Sequence, residues 1–76
     1  MAKRRYDQVK ASKAIGLKIR QLRMERGWTL EETEEHGWPS WTHLQRIEGG
    51  KNITVHTLIS VANLFGVHPS KLLEDV

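Results

Sequence analysis

Glycines at 27, 37, 49, 50 and 66 set the scale of everything this sequence can build. Each stop has a matching start upstream. Ser12, Thr29, Ser40 and Thr54 are residues whose side-chain oxygen can take up the free amides of a first helical turn. Glycine ends such a turn by adopting positive φ without a Cβ clash. The pieces between starts and stops are too short for a long coiled coil, and no stretch alternates apolar and polar residues as a strand would. The expected fold class is therefore all-α, five short helices.

The first helix covers about Ser12–Arg26, with a start a turn or two earlier left open. Ile15, Ile19 and Leu22 recur on one face, with Lys18, Arg20 and Arg23 between them. Gly16 inside it is unfavourable for helix formation. The second runs from Thr29 to His36, where Thr29-x-x-Glu32 forms a capping box and Gly37 and Pro39 are breakers. The third runs from Ser40 to Glu48. Thr54 opens the fourth, with Val55, Leu58, Ile59, Ala62 and Phe65 as its apolar stripe. Pro69 or Ser70 opens the last, carrying Leu72 and Leu73. Two short capped helices joined by a tight turn with glycine and proline match a helix-turn-helix pattern, which small helical bundles of many functions share.

Charge is distributed unevenly. Residues 1–26 carry nine Lys/Arg against two acids, residues 27–50 one Arg against five Glu, and residues 51–76 balance, for a net charge of +3. A cationic front end points to a polyanion, with nucleic acid ahead of an anionic membrane. The stretch Lys3-Arg4-Arg5-Tyr6-Asp7-Gln8-Val9-Lys10 has no continuous apolar face to insert into lipid. Residues 1–11 read as a basic, flexible arm, and 12–76 as a single domain. The arm is either a solvated tail or a functional element in which Lys3, Arg4 and Arg5 order along a duplex.

Several classes fall away. The sequence has no cysteine, which removes disulfides, thiol nucleophiles and cysteine-based metal sites and suits a reducing cytoplasm. Apolar runs reach only two or three residues, too short to cross a bilayer. His36, His43, His56 and His68 lack metal-ligand spacing, so neither a metal nor any cofactor is expected. Without a phosphate loop, serine nucleophile motif or carboxylate dyad, the chain does not read as an enzyme. No small-molecule ligand is implied. No separate sensor domain is expected within these 76 residues.

Three runs carry a resemblance. Ile19-Arg20-Gln21-Leu22-Arg23-Met24-Glu25-Arg26-Gly27-Trp28-Thr29 is like an opening helix and its corner. Ser40-Trp41-Thr42-His43-Leu44-Gln45-Arg46-Ile47-Glu48-Gly49-Gly50-Lys51 is like a recognition helix and its exit. Leu58, Ala62, Leu64-Phe65-Gly66-Val67 and Leu72-Leu73 match a closing stretch. From Ile15 to Leu73, about three quarters of the chain, the sequence resembles the lambda-type repressor/Cro (Xre-like) helix-turn-helix family of bacterial and phage regulators. That family usually places Leu-Ala in its second helix and Gly in the turn, where this sequence has Thr33-Glu34 and Trp38. A glutamate at that closely packed position is costly unless it turns outward.

The resemblance implies a sequence-specific regulator that binds double-stranded DNA. A major groove about 12 Å wide accepts one helix. Leu44 and Ile47 would face the core, leaving Trp41, Thr42, Gln45 and Arg46 for bases. Arg46 suits guanine and Gln45 adenine, each through two hydrogen bonds. Trp41 either packs on a thymine methyl or sugar, or lies over the second helix as a lid. Arg46 either reads a base or pairs with Glu34 or Glu35. Phosphate contacts are expected from Arg23, Thr29, His43, Gly49, Lys51, Asn52 and His56, some of them through backbone amides. The family pairs an arginine at the Arg23 position with a glutamate at the Glu48 position. Trp28 reads as a core lid. A homodimer on an operator is expected, with Val67, Leu72, Leu73 and Val76 as its surface. The alternatives are an antitoxin with a toxin partner, a restriction–modification controller on the same fold, or a protein-interaction module without DNA binding.

Overall fold

A computed structural model describes residues 5–76. Among the described residues the chain is all-helical, with no strand. Helix α1 (Gln8–Glu25) is followed by a first 3-10 helix (Glu31–His36), α2 (Trp41–Glu48), α3 (Val55–Phe65) and a second 3-10 helix (Pro69–Leu73). Two of the five expected helices are thus 3-10 rather than α. Glu31–His36 is six residues long and stops at Gly37, whose φ of 100° reverses the chain. So short a piece does not propagate an α-helix by itself, and here it takes the tighter 3-10 winding, a form used in short pieces.

Helix α1 begins earlier than Ser12. The Asp7 carboxylate accepts the amides of Val9 at 2.8 Å and Lys10 at 3.1 Å, and an aspartate at this position caps as well as a serine. The Ser12 hydroxyl is used elsewhere, donating to Asn52 Oδ1 at 3.4 Å. Residues 8–11, expected in the flexible arm, are the first turn of α1. Of Lys3, Arg4 and Arg5, only Arg5 is described, and it is exposed; Lys3 and Arg4 lie outside the described residues.

The core joins Ile15, Ile19 and Leu22 of α1 to Leu44 and Ile47 of α2, and to Val61, Ala62 and Phe65 of α3. Trp38 and Leu72 complete it. The stripe on α3 has a different membership from the expected one. Val61 is buried while Val55 and Ile59 are 72% and 45% exposed. With Leu58, Val61, Ala62 and Phe65 the spacing is i, i+3, i+4, i+7, which Ile59 does not join; Val55 shares the stripe by spacing but is the first residue of α3 and stays exposed. Leu72 is also a core residue and Val67 packs against the core, so neither is free to form a dimer surface. Leu73 and Val76 remain exposed.

Two cations of the helix-one region tie the ends of the domain together. The Arg26 guanidinium donates to the Leu22 carbonyl at 2.8 Å and to the Phe65 carbonyl at 2.7 Å. It therefore closes one orphan carbonyl at the end of α3, and it lies 5.1 Å from the centroid of the Phe65 ring. Lys18 reaches Asp75 at 3.2 Å and Glu74 at 3.8 Å, holding the C-terminal residues against α1. Trp28 stacks between His36, at a centroid distance of 3.7 Å, and Phe65, at 5.8 Å, which gives it the position of a lid at the Gly27 corner.

Candidate nucleic-acid interface

Helix α2 is eight residues long, and that is too short to hold its own conformation in water. Its pose comes from what grips it. Leu44 and Ile47, three apart on one face, are fully buried against α1 and α3. Thr42, Gln45 and Arg46 stand exposed on the other side. Arg46 forms no ion pair among the described residues, and Glu34 is occupied otherwise. Trp41 is half-buried at the N-terminal end, and the Thr42 hydroxyl sits 2.8 Å from that of Ser40.

The C-terminal end of α2 is fastened to α1 by charge and by shape. Arg23 Nε donates to Glu48 Oε2 at 2.7 Å and Nη2 to Oε1 at 3.0 Å. Nη1 donates to the Trp28 carbonyl at 2.7 Å. The side chains are 11% and 7% exposed, so the pair is buried and satisfied on both sides. The hydrogen bond to Glu48 is the main cause that holds the Arg23 guanidinium above its ordinary range, against desolvation, with the charges of Glu48 and Glu31 adding to it. The phosphate and pairing roles assigned to Arg23 compete for the same nitrogens, and this geometry favours pairing. Gly16 supplies the shape. A Cβ there would lie 2.5 Å from the Ile47 carbonyl oxygen and 2.6 Å from that of Glu48, so only glycine lets the backbones approach this closely.

The N-terminal end is held differently. Glu34 turns outward, and its Oε2 accepts the Trp41 amide at 2.8 Å. Ser40, the residue at the cap position, makes no side-chain bond to the helix amides. A carboxylate from the preceding 3-10 helix thus does the capping, where an anion also suits the positive end of the helix dipole. This hydrogen bond accounts for a glutamate at a position that resembled regulators fill with alanine, and it removes Glu34 as support for an interaction module. Sequence reading missed the contact because seven residues separate the partners, a spacing with no local signature.

The remaining candidates divide by what their polar groups already do. Thr29 and Glu32 form the reciprocal capping box, at 3.3 and 3.2 Å, so the Thr29 hydroxyl oxygen is already an acceptor within its own turn. The Gly49 amide donates to the Gln45 carbonyl at 3.0 Å, and those of Gly50 and Lys51 to Ile47 and Arg46. These amides close α2 and are not offered to a phosphate, which takes the Gly49 amide out of the expected set. The side chains of Lys51 and Asn52 are exposed beside them. His43 and His56 come together across one groove of about 520 Å³, lined also by His36, Trp38 and Asn63. His43 lies parallel to Trp38, with centroids 5.9 Å apart.

Trp38 fills the turn where the resembled regulators have glycine. Its ring is 6% exposed and packs in the core, but its indole Nε1–H is buried without an acceptor among the described residues. The turn thus carries one unsatisfied donor, of a kind that costs about 1–3 kcal/mol.

A short helix anchored by two apolar residues, preceded by a tight turn and a capped helical segment, has the arrangement of a helix-turn-helix. The chain belongs to the helix-turn-helix domain family, whose profile matches residues 16–76, in line with the Xre/Cro-like resemblance. Membership implies DNA as the partner. Comparison with curated proteins and with solved structures gave no match. No helix among the described residues is long and apolar enough to cross a membrane.

Proposed function

We propose that this chain is a sequence-specific double-stranded-DNA-binding transcriptional regulator that acts as a homodimer on an operator. It is a binding protein rather than an enzyme. The observation that carries the reading is the polarity of α2. Leu44 and Ile47 are buried while Thr42, Gln45 and Arg46 are exposed, with Arg46 free of any ion pair among the described residues. Arg46 has the fork geometry for guanine O6 and N7, Gln45 for adenine N6 and N7, and the Thr42 methyl for a thymine methyl. Trp41, half-buried, contributes contact area at the edge of that face.

Phosphates are met beside the base-reading face. Lys51 and Asn52 flank its C-terminal end, and His43 and His56 line the groove on the α3 side. Thr29 retains a hydroxyl proton to donate. The four acids Glu31, Glu32, Glu34 and Glu35 on the first 3-10 helix keep the footprint narrow. One recognition helix contacts too few base pairs for selectivity, so two protomers read half-sites roughly 34 Å apart. Leu73 and Val76 supply exposed apolar area for that pairing.

Selection from a pool of random duplexes tests this. The wild-type chain is expected to enrich a two-fold-related sequence, and sedimentation on the enriched duplex to give two protomers per duplex. An Arg46→Ala, Gln45→Ala double variant is expected to enrich nothing. Equal enrichment by both proteins would contradict the reading.

A further inference from the structure

We propose that Lys13 and Arg20, on the outer edge of α1, form with Lys51 a second phosphate-binding strip along the flank of α2 opposite the histidine groove. The proposal rests on α2 entering a DNA groove and extends it to the backbone beside that groove. Lys13, Gly16 and Arg20 stand at i, i+3 and i+7, so they share one stripe of α1. Gly16 is the point where the α2 backbone crosses, against the carbonyls of Ile47 and Glu48. Lys13 and Arg20 therefore straddle that crossing, one on each side. Lys13 also abuts the exit of α2, since a Cβ at Gly50 would lie 2.8 Å from Lys13 Cγ. The next residue is Lys51, and the Ser12–Asn52 hydrogen bond fixes this loop to α1 at 3.4 Å.

What the other cations of this region do isolates these. Arg23 is consumed by Glu48 and the Trp28 carbonyl, Arg26 by two carbonyls, and Lys18 by Glu74 and Asp75. Lys10 lines a cleft with Asp75 and Val76, away from α2. Lys13, Arg20 and Lys51 are exposed and make no ion pair among the described residues. The acid nearest the crossing, Glu48, is neutralised by Arg23. The strip therefore presents three cations on a helix and its adjoining loop, with Glu25 sharing a surface recess with Arg20 at the far end. Lys13 lies outside the family match, which begins at residue 16.

The competing role is purely structural. Cations beside the C-terminal end of α2 also favour its negative dipole end. The salt dependence of binding to a fluorescein-labelled duplex of arbitrary sequence separates the two, because phosphate contacts act on any sequence. Each lost contact flattens the log–log slope by up to ~0.9. For Lys13→Gln with Arg20→Gln, a fourfold rise in salt then weakens the wild type about 12-fold more than the variant. Lys71→Gln, a similar charge loss on the second 3-10 helix, is expected to leave the slope in place. The single variants Lys13→Gln and Arg20→Gln are each expected to give half the flattening, and they stand in should the double variant unfold. A lowered melting temperature with an unchanged slope would overturn the proposal in favour of the dipole role while leaving DNA binding intact. A wild-type chain that binds no duplex would remove the reading beneath it as well.

Discussion

At its C-terminal end α2 is fastened by the buried Arg23–Glu48 pair and by backbone packed on Gly16, whereas at its N-terminal end one exposed carboxylate, Glu34, takes up the Trp41 amide. The first attachment is made of groups that cannot be removed singly without leaving a buried charge or a steric clash. The second is a hydrogen bond at the surface, next to a turn that already tolerates an unsatisfied indole. A short helix needs both to hold a fixed angle, and the first is expected to carry more of the stability of the fold. The N-terminal end is thus the adjustable one. That is also where this sequence departs from the regulators it resembles.

The comparison breaks most visibly at the buried pair. Glu48→Ala strands the Arg23 guanidinium, and a loss of about 3–5 kcal/mol is expected in denaturant unfolding, on the scale of a broken buried pair. A loss below about 1 kcal/mol would give the pair the standing of a surface contact. Gly16→Ala comes next and tests shape without charge. In an ordinary helix interior this substitution stabilises by up to about 1 kcal/mol. Here the new methyl meets two backbone oxygens that cannot rotate away, and a cost of about 1–3 kcal/mol is expected, on the scale of overpacking. The sign of the change in melting temperature decides it.

Changes at the other end are smaller. Glu34→Ala is expected to cost about 1 kcal/mol, the usual loss of a helix cap, and Glu34→Gln, which keeps an acceptor, to restore most of it. DNA affinity should fall with the alanine variant by more than its stability loss explains, because the helix angle loosens. Trp38→Phe sets two effects against each other. It removes the orphaned donor but also the five-membered half of a buried indole, and because the vacated volume costs stability, thermal melting is expected to show a net change of under about 1 kcal/mol.

Much of this was legible in the sequence, for a physical reason. Start and stop residues act locally, so the Thr29–Glu32 box, the Thr54 cap and the Gly37 and Gly66 stops could be read from spacing alone. The order of helices and the burial of Leu44 and Ile47 follow from the same period. What escaped depends on chain segments distant in sequence. The Asp7 cap lies in a stretch whose charge suggested an arm. Val61 displaced Ile59 from the buried face of α3 because the angle at which α3 meets α1 selects among neighbouring apolar residues. Leu72 is core and not interface because the last 3-10 helix folds back under α1. Gly16 looked like a weakness within α1 until the path of α2 gave it a neighbour. The fate of the Gly49 amide was hidden for the opposite reason: a helix stop and a phosphate site ask for the same residue, and only hydrogen-bond geometry tells which is made.

The proposed function requires Arg46 and Gln45 to read base edges from a helix that α1 holds in place. The direct measurement is a competition titration of wild type and Arg46→Ala, on a duplex enriched by the wild-type chain against a scrambled duplex of equal length and charge. Arg46→Ala is expected to lose about 1–3 kcal/mol on the enriched duplex, with little change on the scrambled one. An equal loss on both would mean that Arg46 contacts only phosphate, and no loss on either would mean that α2 does not enter the groove.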